Sequence, residues 1–115
     1  MELICPAGTP AAFRQAVDAG ADAVYCGFRD ETNARNFPGL NFSREELREA
    51  IAYGRRNDYQ TFVALNTFMR AGDEEIWYRA ASDAVNLGAD ALILADFGLM
   101  AHVRERYPEQ RLHVS

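Results

Sequence analysis

Short apolar runs alternate with longer amphipathic stretches along this chain. The runs are Leu3-Ile4-Cys5, Ala23-Val24-Tyr25-Cys26, Thr61-Phe62-Val63-Ala64-Leu65 and Ala91-Leu92-Ile93-Leu94-Ala95, and Arg111-Leu112-His113-Val114 begins a fifth. They are nearly continuous in apolar residues rather than alternating, which is the pattern of strands covered on both faces. Between them the apolar positions repeat at helical spacing. Phe13, Ala16, Val17 and Gly20 share one face; Leu47, Ala50, Ile51 and Gly54 mark a second helix. Ile76, Ala80, Ala84 and Leu87 mark a third, and Leu99, Val103 and Tyr107 a fourth.

Start and stop signals agree with this division. Thr9 before Pro10 reads as an N-cap with proline at the first helical position. Ser43-Arg44-Glu45-Glu46 fits a capping box. Gly72-Asp73 precedes the third helix, Asp96 caps the fourth, and Pro108 stops it. The segment Ala16-Val17-Asp18-Ala19-Gly20-Ala21-Asp22-Ala23-Val24 is echoed by Ala84-Val85-Asn86-Leu87-Gly88-Ala89-Asp90-Ala91-Leu92. Each reads as a helix end, a glycine that closes it, a short turn and a buried strand.

The order is therefore βαβαβαβα followed by the start of another strand. Such a series gives either a doubly wound sheet or a parallel β/α barrel of the TIM type. The first turn, Pro6-Ala7-Gly8-Thr9-Pro10, lacks the glycine fingerprint of a dinucleotide fold. The expectation is an α/β fold, a parallel (β/α) TIM-type barrel with only about its first half present, as a single domain over residues 1–115. A complete barrel takes about 250 residues. A half barrel leaves two sheet edges and an unfilled interior, so a truncated piece, or completion by another chain, is expected.

Composition narrows the chemistry. With 49% hydrophobic and 25% charged residues the balance is that of a globular domain. No apolar run approaches the ~20 residues of a membrane span, so a transmembrane role is not expected. The opening Met1-Glu2-Leu3-Ile4-Cys5-Pro6 has no basic region of a secretory signal, and a cytoplasmic location is expected. Net charge is −5, and all 12 basic residues are arginine. An acidic chain without basic clusters argues against nucleic acid as a partner. Absence of lysine removes Schiff-base and P-loop chemistry, while arginine stays available for forked recognition of carboxylates. Cys5 and Cys26 sit in apolar runs without C-x-x-C spacing and read as buried, inert thiols.

In parallel β/α folds, function gathers at the carboxyl ends of the strands. The longest such connection is 28–42, with Arg29 and Arg35, Asn33, Asn36 and Asn41, and Phe28, Phe37 and Phe42. Arginines, amides and aromatics together suit an anionic organic ligand, although a loop packed on its own phenylalanines would read the same way. Asn66, directly after an apolar strand, is either a residue of the barrel mouth or a turn residue. The candidate binding residues are thus Arg29, Asn33, Arg35, Asn41 and Asn66, with Arg35 expected to face the mouth and fork onto a carboxylate. Asp96 reads as a cap rather than a base, His102 as a surface residue, and His113 as a satisfied core histidine. Trp77 and Tyr78 are expected to pack on a neighbouring helix. No Ser-His-Asp order, H-E-x-x-H or metal-spaced cysteine set is found, and no catalytic residue is assigned.

Several stretches are familiar as words. Glu2-Leu3-Ile4-Cys5-Pro6-Ala7-Gly8, Gly20-Ala21-Asp22-Ala23-Val24-Tyr25 with Gly27, Asn66-Thr67-Phe68, and Gly88 through Asp96 resemble the collagenase-like peptidase family. So do Arg106-Tyr107-Pro108 and His113-Val114-Ser115. Thr32-Asn33-Ala34-Arg35 and Gly39-Leu40-Asn41-Phe42 are similar to its UbiU-like branch, which serves ubiquinone biosynthesis without oxygen. The resemblance implies a (β/α) barrel in a longer protein. It implies a subunit of an oxygen-independent hydroxylase that uses prephenate as oxygen donor and acts on a prenylated phenol beside a UbiV-like partner in a heterodimer. It also implies a 4Fe–4S cluster on four cysteines outside this chain; Cys5 and Cys26 do not match that set, and this segment alone is expected to hold none. Prephenate is a dicarboxylate, which Arg29 and Arg35 suit, and Phe28, Phe37 and Phe42 are expected to line an apolar path for a prenylated phenol. A peptidase and a non-catalytic, partner-binding scaffold remain as alternatives.

Overall fold

The structure, a computed structural model, describes residues 2–115. Five strands alternate with four helices: β1 (Ile4–Pro6), α1 (Pro10–Asp18), β2 (Ala23–Cys26), α2 (Arg44–Arg56), β3 (Gln60–Leu65), α3 (Glu74–Leu87), β4 (Ala91–Leu94), α4 (Phe97–Arg106) and β5 (Leu112–Val114). All neighbours pair in parallel, in the order β1-β2-β3-β4-β5. A doubly wound sheet reverses its strand order at a switch point. This sheet never reverses, so the fold is the barrel type, present as a five-stranded arc.

The two faces of the arc differ. Val24, Cys26, Val63, Leu65, Leu92 and Leu94 point to the helices and join Phe13, Val17, Leu47, Ile51, Trp77, Leu99 and Val103 in the main core. The alternate residues Ala23, Phe62 and Ala91, with Tyr25 and Ile93 packed beside them, form a smaller cluster on the opposite face, the inside of the barrel curve. His113 belongs to that inner face, its ring 5.2 Å from that of Phe62. Successive strand residues face opposite sides, so the strand sequence alone sorts helix-facing from barrel-facing positions once one member is placed.

Local signals act as the sequence predicts. The Thr9 hydroxyl accepts from the Ala12 N–H at 3.1 Å. The Ser43 capping box is complete, with Ser43 Oγ accepting from Glu46 N and Glu46 Oε1 accepting from Ser43 N. Asp73 starts α3 without a side-chain cap bond. The echoed Gly-Ala-Asp segments have a shared task beyond the turn. Asp22 accepts the Leu3 N–H at 2.7 Å, and Asp90 accepts the Thr61 N–H at 2.8 Å. Each aspartate thus ties the beginning of the neighbouring strand to the turn before its own, fixing parallel register. Gly20 (φ 96°) and Gly88 (φ 99°) adopt the left-handed conformation that ends the preceding helices.

Trp77 joins the helix-side core and does one thing more. Its ring is buried, but its Nε1–H donates to Thr67 Oγ1 at 3.0 Å, so it supports the loop after β3 as well as the helical layer. Tyr78 does pack on a neighbouring helix, stacked at 3.8 Å on His102 of α4. No helix among the described residues is long and apolar enough to cross a membrane.

Candidate functional site

The carboxyl ends of the strands open onto a pocket of about 480 Å³. Its floor comes from Pro6 of β1, Tyr25 and Cys26 of β2, Ala64 of β3 and Ile93 of β4. Its wall comes from the loop after β2, through Asn33, Arg35, Phe37, Leu40 and Asn41, and from Asn66 and Ser115. Four of the five candidate binding residues, Asn33, Arg35, Asn41 and Asn66, therefore meet at one cavity.

Arg29 stands apart. It is not among the lining residues; its guanidinium donates to the Leu40 and Asn41 carbonyls and pairs with Glu46 at 2.7 Å. The capping box fixes Glu46, which draws Arg29 to the start of α2 and away from the cavity. The Ser43 backbone N–H foremost, and Arg29 after it, hold the Glu46 carboxyl below its ordinary pKa.

The three asparagines hold the loop that surrounds them. Asn33 donates to the Phe28 carbonyl at 3.4 Å and accepts from Arg35 N at 3.0 Å. Asn41 donates to the Arg35 carbonyl at 2.6 Å, and its own N–H donates to the Gly8 carbonyl. Asn66 Oδ1 accepts from Ala34 N at 2.9 Å, linking the ends of β2 and β3. Arg35 is thereby gripped on both backbone sides. Gly27 leaves room for this grip: a Cβ there would lie 2.8 Å from Asn33 Cγ and closer still to its Nδ2. Behind the loop, Arg44 bridges Asp30 and Asp83 and lies 3.8 Å over the Phe28 ring.

What remains free to face a ligand is a set of donors. The Arg35 guanidinium has no ion-pair partner among the described residues. Asn66 keeps its amide N–H₂, and Tyr25 keeps its hydroxyl, for neither makes a hydrogen bond among the described residues. No aspartate or glutamate lines the cavity, although the chain carries 17 of them. The pocket is thus lined by donors and by none of the acidic side chains of an acidic chain.

Two expectations about aromatic residues are corrected. Phe28 and Phe42 are fully buried in the helix-side core, 6.3 Å separating Phe42 from Phe13, and do not line the cavity. The chain turns back between them, Phe42 N donating to the Gly27 carbonyl and Arg29 N to the Phe42 carbonyl, so both rings point under the loop. Phe37 alone of the three lines the pocket, 59% exposed. Tyr25 is a lining residue that sequence reasoning passed over, whereas Leu40 and Ser115 lie at strand carboxyl ends, where function was expected to gather. Asp96 caps α4 through Leu99 N and also accepts Met69 N at 2.9 Å, pinning the loop after β3.

The thiols do not suit a cluster. Burial pushes the Cys26 thiol up to about 12, and it donates weakly to the Phe62 carbonyl. Cys5 is half-buried against the same core, and no group of three metal-ligating side chains forms among the described residues. A 4Fe–4S cluster takes four thiolates. The residues present do not fit one.

Fold and pocket together define a parallel β/α-barrel protein with a cavity at the mouth of the strands. The sequence places it further: residues 8–115 match peptidase family U32, and the chain belongs to that family. It is 35% identical to tRNA hydroxylation protein P of Escherichia coli, over 99% of this chain and 25% of that protein. It is 34% identical to an uncharacterised protease of Methanocaldococcus jannaschii, over 91% of this chain and 25% of the relative. It is 35% identical to the 23S rRNA 5-hydroxycytidine synthase of Escherichia coli, over 87% of this chain and 15% of the enzyme. The chain thus spans a quarter or less of the length of these relatives. Among solved structures, a type I 3-dehydroquinate dehydratase from Clostridium difficile superposes with a TM-score of 0.71 at 11% identity, covering 99% of this chain and 51% of the dehydratase. That likeness is one of fold.

Proposed function

We propose that this chain serves an oxygen-independent hydroxylase of the UbiU-like kind, and that its mouth pocket binds the oxygen donor, prephenate. The carrying observation is Arg35, without an ion-pair partner among the described residues, at a cavity that no aspartate or glutamate lines. A planar guanidinium forks onto a carboxylate with two charge-assisted hydrogen bonds. Relatives whose names describe hydroxylation of tRNA and synthesis of 5-hydroxycytidine in rRNA support the reaction class. In this reading the hydroxyl acceptor is a prenylated phenol, the protein works in a heterodimer with a UbiV-like partner, and a 4Fe–4S cluster sits on four cysteines outside these residues. Phe37, exposed at the rim, gives the acceptor an apolar contact.

A second reading keeps the pocket and changes the acceptor. The names of the Escherichia coli relatives favour a nucleobase in RNA over a phenol. The acidic balance of this chain favours the phenol. A peptidase has less support: among the described residues no histidine, aspartate or glutamate lines the pocket beside Ser115 or Cys26, and Cys26 is held as a thiol at neutral pH.

The test is Arg35→Lys in the full-length protein, in cells that lack the native gene and grow without oxygen. Ubiquinone and hydroxylated RNA bases are both quantified by mass spectrometry. Loss of ubiquinone supports the phenol reading, and loss of a hydroxylated base alone supports the RNA reading. Wild-type levels of both, at equal protein abundance, contradict the role of Arg35.

A further inference from the structure

Tyr25 was not singled out by its sequence context, but it holds a distinctive place. Val24 and Cys26 on either side point to the helices, so Tyr25 is turned to the inner face of the barrel curve, beside Ala23, Phe62, Ala91 and Ile93. In register it lies between Pro6 of β1 and Phe62 of β3, at the mouth end of the strands. Its backbone is fixed there, the Tyr25 carbonyl accepting the Ala7 N–H at 2.9 Å. It lines the same cavity as Arg35. Of the five tyrosines, Tyr53 and Tyr107 spend their hydroxyls on Asp18 and Ser82; Tyr25, like Tyr59 and Tyr78, has no such bond among the described residues.

The two donors sit at different depths. Arg35 is an exposed residue of the loop that walls the pocket, whereas Tyr25 is a half-buried residue of the strand that floors it. Around Tyr25 the inner face is mostly apolar, built from alanine, phenylalanine and isoleucine, with His113 and Arg111 against the Phe62 ring. A ligand end that reaches this floor meets the Tyr25 hydroxyl in a mostly apolar setting. Leaving that hydroxyl unpaired under a bound ligand costs more than leaving it in water, so the site discriminates by what the ligand brings to it.

We infer that Tyr25 is a specificity-determining residue of the pocket: its hydroxyl donates a hydrogen bond to a second oxygen of the ligand, at the end remote from the carboxylate held by Arg35. The ligand class is a small organic anion with a carboxylate at one end and a further carboxylate, hydroxyl or keto oxygen at the other, separated by an apolar body. The inference rests on the reading of the pocket as a carboxylate site and adds the second point of attachment. Monocarboxylates without the remote oxygen gain only the Arg35 contact and leave Tyr25 unpaired.

The test uses the full-length protein with its partner and titrates prephenate into wild type, Tyr25→Phe and Arg35→Lys. Tyr25→Phe keeps the ring that packs on Phe62 and removes only the hydroxyl. A hydrogen bond to a charged or strongly polar oxygen corresponds to a loss of roughly ten- to a hundredfold in affinity. We expect that loss in Tyr25→Phe, with the unliganded melting temperature unchanged and the prephenate-induced rise in melting temperature reduced. Phenylpyruvate, which lacks the ring carboxylate and ring hydroxyl of prephenate, is the control ligand and should bind wild type and Tyr25→Phe alike. Wild-type prephenate affinity in Tyr25→Phe, with binding lost in Arg35→Lys, overturns the role of Tyr25 and leaves the carboxylate site standing. Equal affinity in all three proteins, or no binding to wild type, overturns the carboxylate reading and the Tyr25 inference with it.

Discussion

At the scale of single residues, the loop after β2 shows how one residue type divides into different tasks. Arg29 and Arg35 are six positions apart, yet Arg29 is spent on Glu46 and two carbonyls while Arg35 is left to the cavity. Sequence reasoning could name both but not separate them, because Glu46 reaches Arg29 only once α2 is capped and docked. The asparagines show the same limit. Amides read as ligand contacts, but Asn66 meets a backbone N–H 32 residues away, a pairing that no local pattern announces. Tyr25 escaped notice because both faces of a parallel strand are apolar, so strand parity alone does not say which residue turns inward.

Asp96 carries a prediction at this scale. Burial by itself would raise its pKa, but the N–H groups of Met69, Leu99 and Gly98 outweigh that and hold the carboxyl below its ordinary value. A group with a depressed folded pKa contributes stability that is fully present above its unfolded value, about 3.9, and is lost as pH falls through the folded value. Asp96→Asn keeps one acceptor and removes the charge. In the full-length protein the variant should be less stable than wild type at pH 7, and the gap should close as pH falls below about 4. Urea midpoints measured across that range check this; a gap constant with pH would show that the charge of Asp96 contributes nothing.

At the scale of elements, the β/α alternation was legible because strands covered on both faces and amphipathic helices leave opposite signatures. Every helix lies where its apolar face predicted, and Thr9, Ser43 and Asp96 all cap as read. Strand edges were less exact: β1 runs Ile4–Pro6 rather than from Leu3, since proline is tolerated on this outer strand of the arc. Phe28 and Phe42 were misplaced because a long loop with aromatics looks like a pocket wall, whereas here the loop folds back so that both rings close the helix-side core.

The connection from β2 to its loop gives the element-scale prediction. Gly27 is required by close approach to Asn33 and to the Ala64 carbonyl, 3.2 Å from where a Cβ would be. Gly27→Ala forces Asn33 aside and loosens the backbone that carries Arg35. The expected cost is about 1–3 kcal/mol of stability, typical of overpacking, with weakened anion binding. Denaturant titration and ligand titration of the same protein measure the two effects. Unchanged binding despite lost stability would mean that Asn33 does not position Arg35.

At the scale of the whole molecule, the sheet sets the site. Five parallel strands in unbroken order bring β1, β2, β3 and β4 to one mouth, so Pro6, Tyr25, Ala64 and Ile93 share a floor despite wide separation in sequence. The barrel class was readable from the missing dinucleotide fingerprint and from the repeated Gly-Ala-Asp turns; the sheet order, with no reversal, decides it. The same geometry gathers Arg35, Asn66 and Tyr25 at one cavity that no aspartate or glutamate lines. The central claim is that this mouth binds a small carboxylate through Arg35. A crystal structure of the full-length protein with prephenate tests it most directly. The account predicts a carboxylate forked on the Arg35 guanidinium at about 2.7–2.9 Å, inside the pocket floored by Tyr25. Prephenate bound elsewhere, with Arg35 in open solvent, would contradict it.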